Sequence, residues 1–219
     1  MSSDIGRSSA VAADYSWAEG GGDGLFSAYC LTLVRGIAPG EFMRRLGARV
    51  LRDAAPLDEW FVETSFDYWD TPHHGDVQFI GATTVPGDGG DWTLAFEVNG
   101  YLGVVPELMV PVSMGTRLVT HRYNNGNGHG DFMWIEDGDL RLDFEPLFAF
   151  QRSGSAPDGL LDEMREIGFD LDPETDEIGP STSGAFALAE RLTGVRVTEA
   201  LVEGASFLCG EAAVVRGRE

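Results

Sequence analysis

The chain contains no lysine. All fifteen of its basic residues are arginine, against 36 acids, for a formal net charge of −21. A GC-rich coding bias accounts for arginine in place of lysine but not for the excess of acids. So negative a surface repels nucleic-acid phosphates and anionic lipid, which argues against nucleic-acid binding and membrane-surface attachment. It attracts cationic partners instead. Cysteine is almost as scarce. Cys30 and Cys209 stand far apart, which excludes a disulfide framework or a cysteine metal site and suits a reducing cytoplasm, the expected location. No run approaches the ~20 apolar residues that span a bilayer. Met1 to Ala13 lacks the basic start and apolar stretch of a signal peptide. Nucleophile elbows, H-E-x-x-H and phosphate loops are all missing. The sequence therefore predicts no catalytic residue, no metal ligand set and no cofactor.

What is present reads as a folded domain. With 219 residues, 43% of them apolar and 11% aromatic, the chain can bury a core without metal or disulfide. Residues 1–13 read as a polar, disordered tail and 14–215 as one α+β domain. Phe26, Tyr29, Cys30, Leu33 and Val34 recur at helical spacing between Asp23 and Gly36, and Pro39 opens a second helix that Gly47 ends. Leu57 to Thr64 reads as a short helix that becomes extended at Phe66 and Tyr68. Val77–Val85, Trp92–Val98 and Arg117–Tyr123 read as strands, with Asn99-Gly100 as a tight turn and a short helix or turn from Pro106 to Met114. Phe132–Glu136 and Leu140–Phe144 form a hairpin about Asp137-Gly138. Helices follow from Pro157 to Gly168, around Phe186 to Leu192 before Gly194, and from Thr198 through Leu208. The predicted architecture is α+β: a central antiparallel sheet of about five strands, roughly 77–144, flanked by N-terminal and C-terminal helices.

Four blocks carry a resemblance. They are Leu33-Val34-Arg35-Gly36 with Arg44-Arg45-Leu46-Gly47-Ala48; Trp92, Glu97, Asn99-Gly100-Tyr101 and Gly103; Ser113 with Gly115-Thr116-Arg117; and Ala187 to Val195. Together, from Asp14 to about Gly210, the chain resembles an uncharacterised family of small acidic actinobacterial proteins, a domain of unknown function. It departs from that pattern near Asn124 to Gly130 and in the acidic 53–91 region. The resemblance implies one compact fold and a bacterial cytoplasmic origin, and it brings no catalytic residue.

Residues 53–116 hold eleven acids and no arginine. Within them, acids alternate with large rings, and Asp58, Glu59, Trp60, Phe61, Glu63, Asp67, Tyr68, Trp69 and Asp70 are the candidate partner-binding residues. Aromatic anchors supply contact area at little entropic cost, and carboxylates around them steer a basic partner. The expected function is a noncatalytic, acidic protein-binding module of inhibitor or immunity type, with DNA mimicry as a variant of it. The plainer alternative makes the rings core and the acids a solvated face.

Other features point elsewhere. His73, His74, His121 and His129 stand near carboxylates, and a pocket between sheet and helices using His73, His121 and His129 would make a sensor or enzyme. Adjacent histidines on an extended chain face opposite ways, so His73 and His74 are a poor chelating pair. Asp170, Asp172, Glu174 and Asp176 begin like a calcium loop, but Thr175 and Ser181 stand where glycine and glutamate are required. Asn124 to Asp131 resembles a single glycine-rich calcium repeat, which reads as a loop. Arg44, Arg45, Arg49 and Arg52 read as compensation for nearby acids.

Overall fold

The computed structural model describes residues 8–21, 24–70, 75–174 and 179–214. Its strands are β1 (Ala28–Arg35), β2 (Arg49–Pro56), β3 (Val77–Gly87), β4 (Gly90–Val98), β5 (Arg117–Asn124), β6 (His129–Glu136), β7 (Asp139–Phe144), β8 (Arg152–Ser153) and β9 (Ser206–Ala213). Its helices are α1 (Pro39–Leu46), α2 (Glu59–Asp70), α3 (Pro106–Val112), α4 (Leu161–Ile167), α5 (Thr182–Thr193) and α6 (Glu199–Glu203). Short 3-10 stretches cover Ala12–Gly21, Gly24–Ser27, Leu102–Val104 and Pro146–Phe148.

All nine strands among the described residues join one sheet, in the order β2-β9-β3-β4-β1-β5-β6-β7-β8, with every pair antiparallel. The five-strand sheet expected over 77–144 is thus too small. Strands β3 to β7 are those five, and β1, β2, β8 and β9 are added to them. The largest correction is β1, expected as a helix from Phe26 to Val34. It is the middle strand, and six consecutive residues, Tyr29 to Val34, are buried. A strand covered on both faces shows a continuous apolar run, and such a run does not distinguish strand from helix by period. The last predicted helix splits likewise: α6 stops at Glu203, and Phe207 and Leu208 belong to β9. In contrast, 57–70 holds one helix to Asp70, so the extended segment expected at Phe66 and Tyr68 does not form.

Helices cover both faces. On one side Tyr29, Leu31 and Leu33 of β1 pack with Phe79, Phe96, Phe132 and Phe144 against α2, α4, α5, α6 and the 12–21 stretch. On the other side Val34, Ile80, Ala95, Leu118, Met133 and Ile135 meet Phe42, Met43 and Leu46 of α1 and Met109 and Val112 of α3. The hairpin turn between β6 and β7 takes positive φ at both Asp137 and Gly138, the mirror-image turn whose twist matches the flanking strands. Residues 8–13, assigned to the tail by the sequence, lie against α5: Ala10 is buried, Ser8 donates to Glu190, and the Ala10 carbonyl accepts from Arg191. Residues 1–7 lie outside the described set. No helix among the described residues is long and apolar enough to cross a membrane.

Candidate functional site

The candidate residues of the acidic segment sit on α2 and just before it. Asp58 accepts from the Phe61 N–H, the side-chain bond expected at a helix start. The helix then divides its residues by face. Phe61 and Ser65 point inward and are buried. The Phe61 ring meets Phe79 at 4.9 Å and Phe207 at 5.5 Å between centroids. Gly81 of β3 makes this seat possible, because a Cβ there would lie 2.6 Å from the Phe61 ring.

Trp60, Tyr68 and Trp69 occupy the flanks and are half-buried. Trp60 packs edge-on against Phe79 and carries the Arg52 guanidinium 3.9 Å above its ring. Tyr68 stacks on Phe79 and donates to Glu211, which also takes Arg49 at 2.6 Å. Burial, with Glu211 beside it, pushes the Tyr68 hydroxyl up to about 12. Trp69 leaves on the opposite flank and packs against Tyr101. The rings that the sequence offered as partner anchors are therefore mainly the props that seat α2 on β3 and β9. Phe66, which was not among the candidates, is the large ring left outward, at 47% exposure.

The acids take the remaining face. Glu59, Glu63, Asp67 and Asp70 are all exposed, and their spacing of four, four and three residues aligns them along one side of the helix. None of them, nor Asp58, enters an ion pair among the described residues. Like charges at this spacing oppose helix formation by a few tenths of a kcal/mol per pair, so the stripe is not there for stability.

Trp60 near the start of α2 lies over Arg52, and Tyr68 near its end reaches Glu211, which pairs with Arg49. The helix itself packs on β3 and β4, and its Trp60 flank reaches β2 at Arg52. β2 is the outermost strand of the sheet, with Val50 45% and Leu51 37% exposed.

Among the described residues the other candidates are not assembled into a reactive group. His73 and His74 lie outside the described residues. His121 is fully buried, bonded through Nδ1 to the Tyr29 hydroxyl at 2.9 Å, and burial pushes it down to about 3. His129 lies between Glu145 and Asp131 at 3.1 and 3.2 Å. Among the described residues no group of three or more such side chains is placed to hold a metal. Asp170 and Asp172 cap their own loop through the N–H groups of Asp172 and Glu174. Of the arginines, Arg44 and Arg45 pair with Glu41, whose carboxyl they pull down to about 2. Cys30 and Cys209 are buried, and burial raises both thiols, Cys209 to about 12.

A cavity of about 420 Å³ opens between the sheet, α4 and α5, lined among others by Arg117, Trp134, Leu160, Leu188 and Arg191. Among the described residues no histidine lines it. Sequence reasoning did not single out Trp134. It lies in a half-buried strand, and only the fold sets it beside Arg117 and Arg141.

Comparison with known proteins gives a family and nothing closer. No curated protein and no solved structure matches the chain. A family model described as a family of unknown function, DUF6461, matches residues 8–216, nearly the whole chain, and the protein belongs to that family.

Proposed function

We propose that the protein is a noncatalytic binding module that meets a basic protein partner through the outward face of α2, in the manner of an inhibitor or immunity protein. The observation that carries this reading is the unpaired stripe Glu59, Glu63, Asp67 and Asp70 beside the exposed Phe66 ring. Four carboxylates set at helical spacing steer a cationic surface, and one exposed ring gives it an apolar centre to close on. The anchors differ from those read in the sequence. Trp60, Phe61, Tyr68 and Trp69 hold the helix in place, and the contact surface consists of the acids and Phe66.

The test compares proteins recovered from a cell extract of the native host by the wild type and by two variants. One variant is Phe66→Ser, and the other combines Glu59→Gln, Glu63→Gln, Asp67→Asn and Asp70→Asn. A basic protein retained by the wild type at low salt, released by high salt and lost by both variants supports the proposal. Retention by the variants equal to that of the wild type overturns it.

A second reading rests on the 420 Å³ cavity, whose size falls within the range of small-molecule sites. In this reading the Trp134 indole and the Leu160, Leu188 and Leu192 wall receive a flat apolar ligand. A ligand that raises the melting temperature of the wild type but not of Trp134→Leu would favour it over the binding module.

A further inference from the structure

Three arginines gather where β1 ends and β5 begins. A shallow basin of about 540 Å³ opens at that end of the sheet, walled by Arg35, Arg45 and Arg117, with Gly36, Gly115 and Thr116 among them. The β1–β5 register closes with Val34 opposite Leu118, so Arg35 and Arg117 follow as neighbours on adjacent strands. The Thr116 hydroxyl, donating to the Arg35 carbonyl, ties the two strand ends together. Like charges facing each other across a strand pair oppose pairing. The sheet by itself gains nothing from two arginines at this step. Arg35-Gly36, Arg45 and Gly115-Thr116-Arg117 also belong to the blocks by which the chain resembles its family, whereas α2 lies in the region that departs from that pattern.

The three are held in different ways. Arg117 donates to Glu136 at 2.7 Å and to the Leu192 carbonyl at 2.9 Å. Arg45 donates to the carbonyls of Val112 at 2.9 Å and Met114 at 2.8 Å, and it shares Glu41 with Arg44. Carbonyl bonds orient a guanidinium without cancelling its charge. Arg35 is exposed and enters no hydrogen bond or ion pair through its side chain among the described residues, in a chain that carries 36 acids. Its guanidinium is nevertheless placed, resting on Gly89 of the β3–β4 turn, where a Cβ would collide with it. Two carboxylates share the wall. Glu136 is taken by Arg117 and the Trp134 N–H, and Asp137 accepts from the Gly115 N–H. Three arginines against two carboxylates leave the wall with one positive charge. At physiological salt the Debye length is about 8 Å, so the net charge of the rest of the chain is largely screened there.

We infer that this basin binds a phosphate group, with Arg35 as its uncommitted fork and Arg45 and Arg117 as its fixed walls. The group is either free phosphate or the phosphate of a small molecule. A guanidinium presents paired N–H donors in a plane that matches two phosphate oxygens, and donors already held in place lose little freedom on binding. A ring carried by the ligand also has a place to lie. Arg117 lines the 420 Å³ cavity as well, where its guanidinium carbon stands 5.8 Å from the centre of the Trp134 ring. The site is separate from α2 and stands whether or not a basic partner docks there.

The test titrates the full chain with inorganic phosphate, phenyl phosphate and benzoate at constant ionic strength. Affinity is read by calorimetry, and the place of binding by amide chemical shifts at Gly36, Gly115 and Thr116. Arg35→Gln breaks no bond within the protein, so its melting temperature matches that of the wild type. It weakens phosphate or phenyl phosphate about tenfold or more. Arg49→Gln removes the same charge from the outer strand β2, away from the basin, and leaves binding unchanged. Equal affinity for the two phosphates identifies the phosphate group alone as the ligand. Tighter binding of phenyl phosphate, with a change in tryptophan fluorescence that Trp134→Leu abolishes, identifies a phosphorylated ring compound. Either result supports the site. No saturable binding at millimolar probe, or equal weakening by Arg35→Gln and Arg49→Gln, overturns it. Benzoate bound as tightly as phenyl phosphate overturns the assignment to phosphate.

Discussion

Helices α2 and α5 are both twelve residues long, and they treat charge in opposite ways. α5 buries ten of its residues, and its one acid, like the acid that caps it, is built into the fold. Glu190 accepts from Ser8 and from the Tyr15 hydroxyl. At the other end, Glu19 takes the backbone N–H and hydroxyl groups of both Ser181 and Ser183, the orphan donors of a helix start. Burial alone would raise the Glu19 carboxyl, but the bonds from Ser183 and Ser181 hold it below the usual range. α2 buries only Phe61 and Ser65 and leaves four carboxylates without a cation among the described residues. The comparison teaches that this protein neutralises acids where they serve the fold. On α2 the acids left bare are those that face solvent.

The contrast is most exposed to failure in the core. Phe186→Ala removes a fully buried α5 ring that touches Tyr15, Trp17, Phe26, Tyr29 and His121. It should cost about 3–5 kcal/mol in denaturant unfolding. Phe66→Ala on α2 should stay within about 0.5 kcal/mol in the same assay. Comparable losses would mean that Phe66 is structural after all.

The most deeply built-in acid is Glu97. Its carboxylate accepts from the N–H groups of Leu102 at 2.8 Å and Gly103 at 3.0 Å, yet burial pushes it from an ordinary 4.5 up to about 7. Its folded value lies above its unfolded one. Its contribution is therefore full below about pH 4.5 and is lost as pH rises through 7, by on the order of 3 kcal/mol. Unfolding measured from pH 4.5 to 8 should show this fall, and Glu97→Gln should flatten it. Glu19 has the reverse sign. Its support is present above its ordinary 4.5 and disappears as pH falls through its lowered folded value.

Smaller effects separate the two helix surfaces. Glu19→Ala uncaps α5 and should cost about 1–2 kcal/mol in unfolding free energy. Neutralising Glu59, Glu63, Asp67 and Asp70 should instead stabilise the protein, by up to about 1 kcal/mol in sum, because the stripe repels itself. A variant that gains stability while losing its partner is the signature expected of a functional surface. If it loses stability, the acids have a structural role.

Much of this arrangement was legible in the chain, unevenly. The Asp137-Gly138 turn, the Pro39 start and Gly47 end of α1, and strands β3 to β7 follow from local rules about φ and side-chain period. The acidic segment was located correctly as a helix start, but which of its rings faced inward was not visible. Phe61 and Phe66 have the same chemistry. Only the Gly81 gap and Phe79 across the sheet give Phe61 a seat. β1 and β9 escaped because strands covered by helices on both faces lose the alternation that marks a half-exposed strand. β2 escaped for the opposite reason: with only Ala55 buried, it has almost no hydrophobic pattern to read.

The sequence by itself determined the charge, the α+β class and the place of most turns. These depend on composition and on contacts between near neighbours. Tertiary structure decided the order of the strands in the sheet, the anchoring of Glu19 and Glu97, and the inward turn of Phe61. Each of those depends on groups far apart in the chain, and burial depends on what the rest of the chain brings alongside.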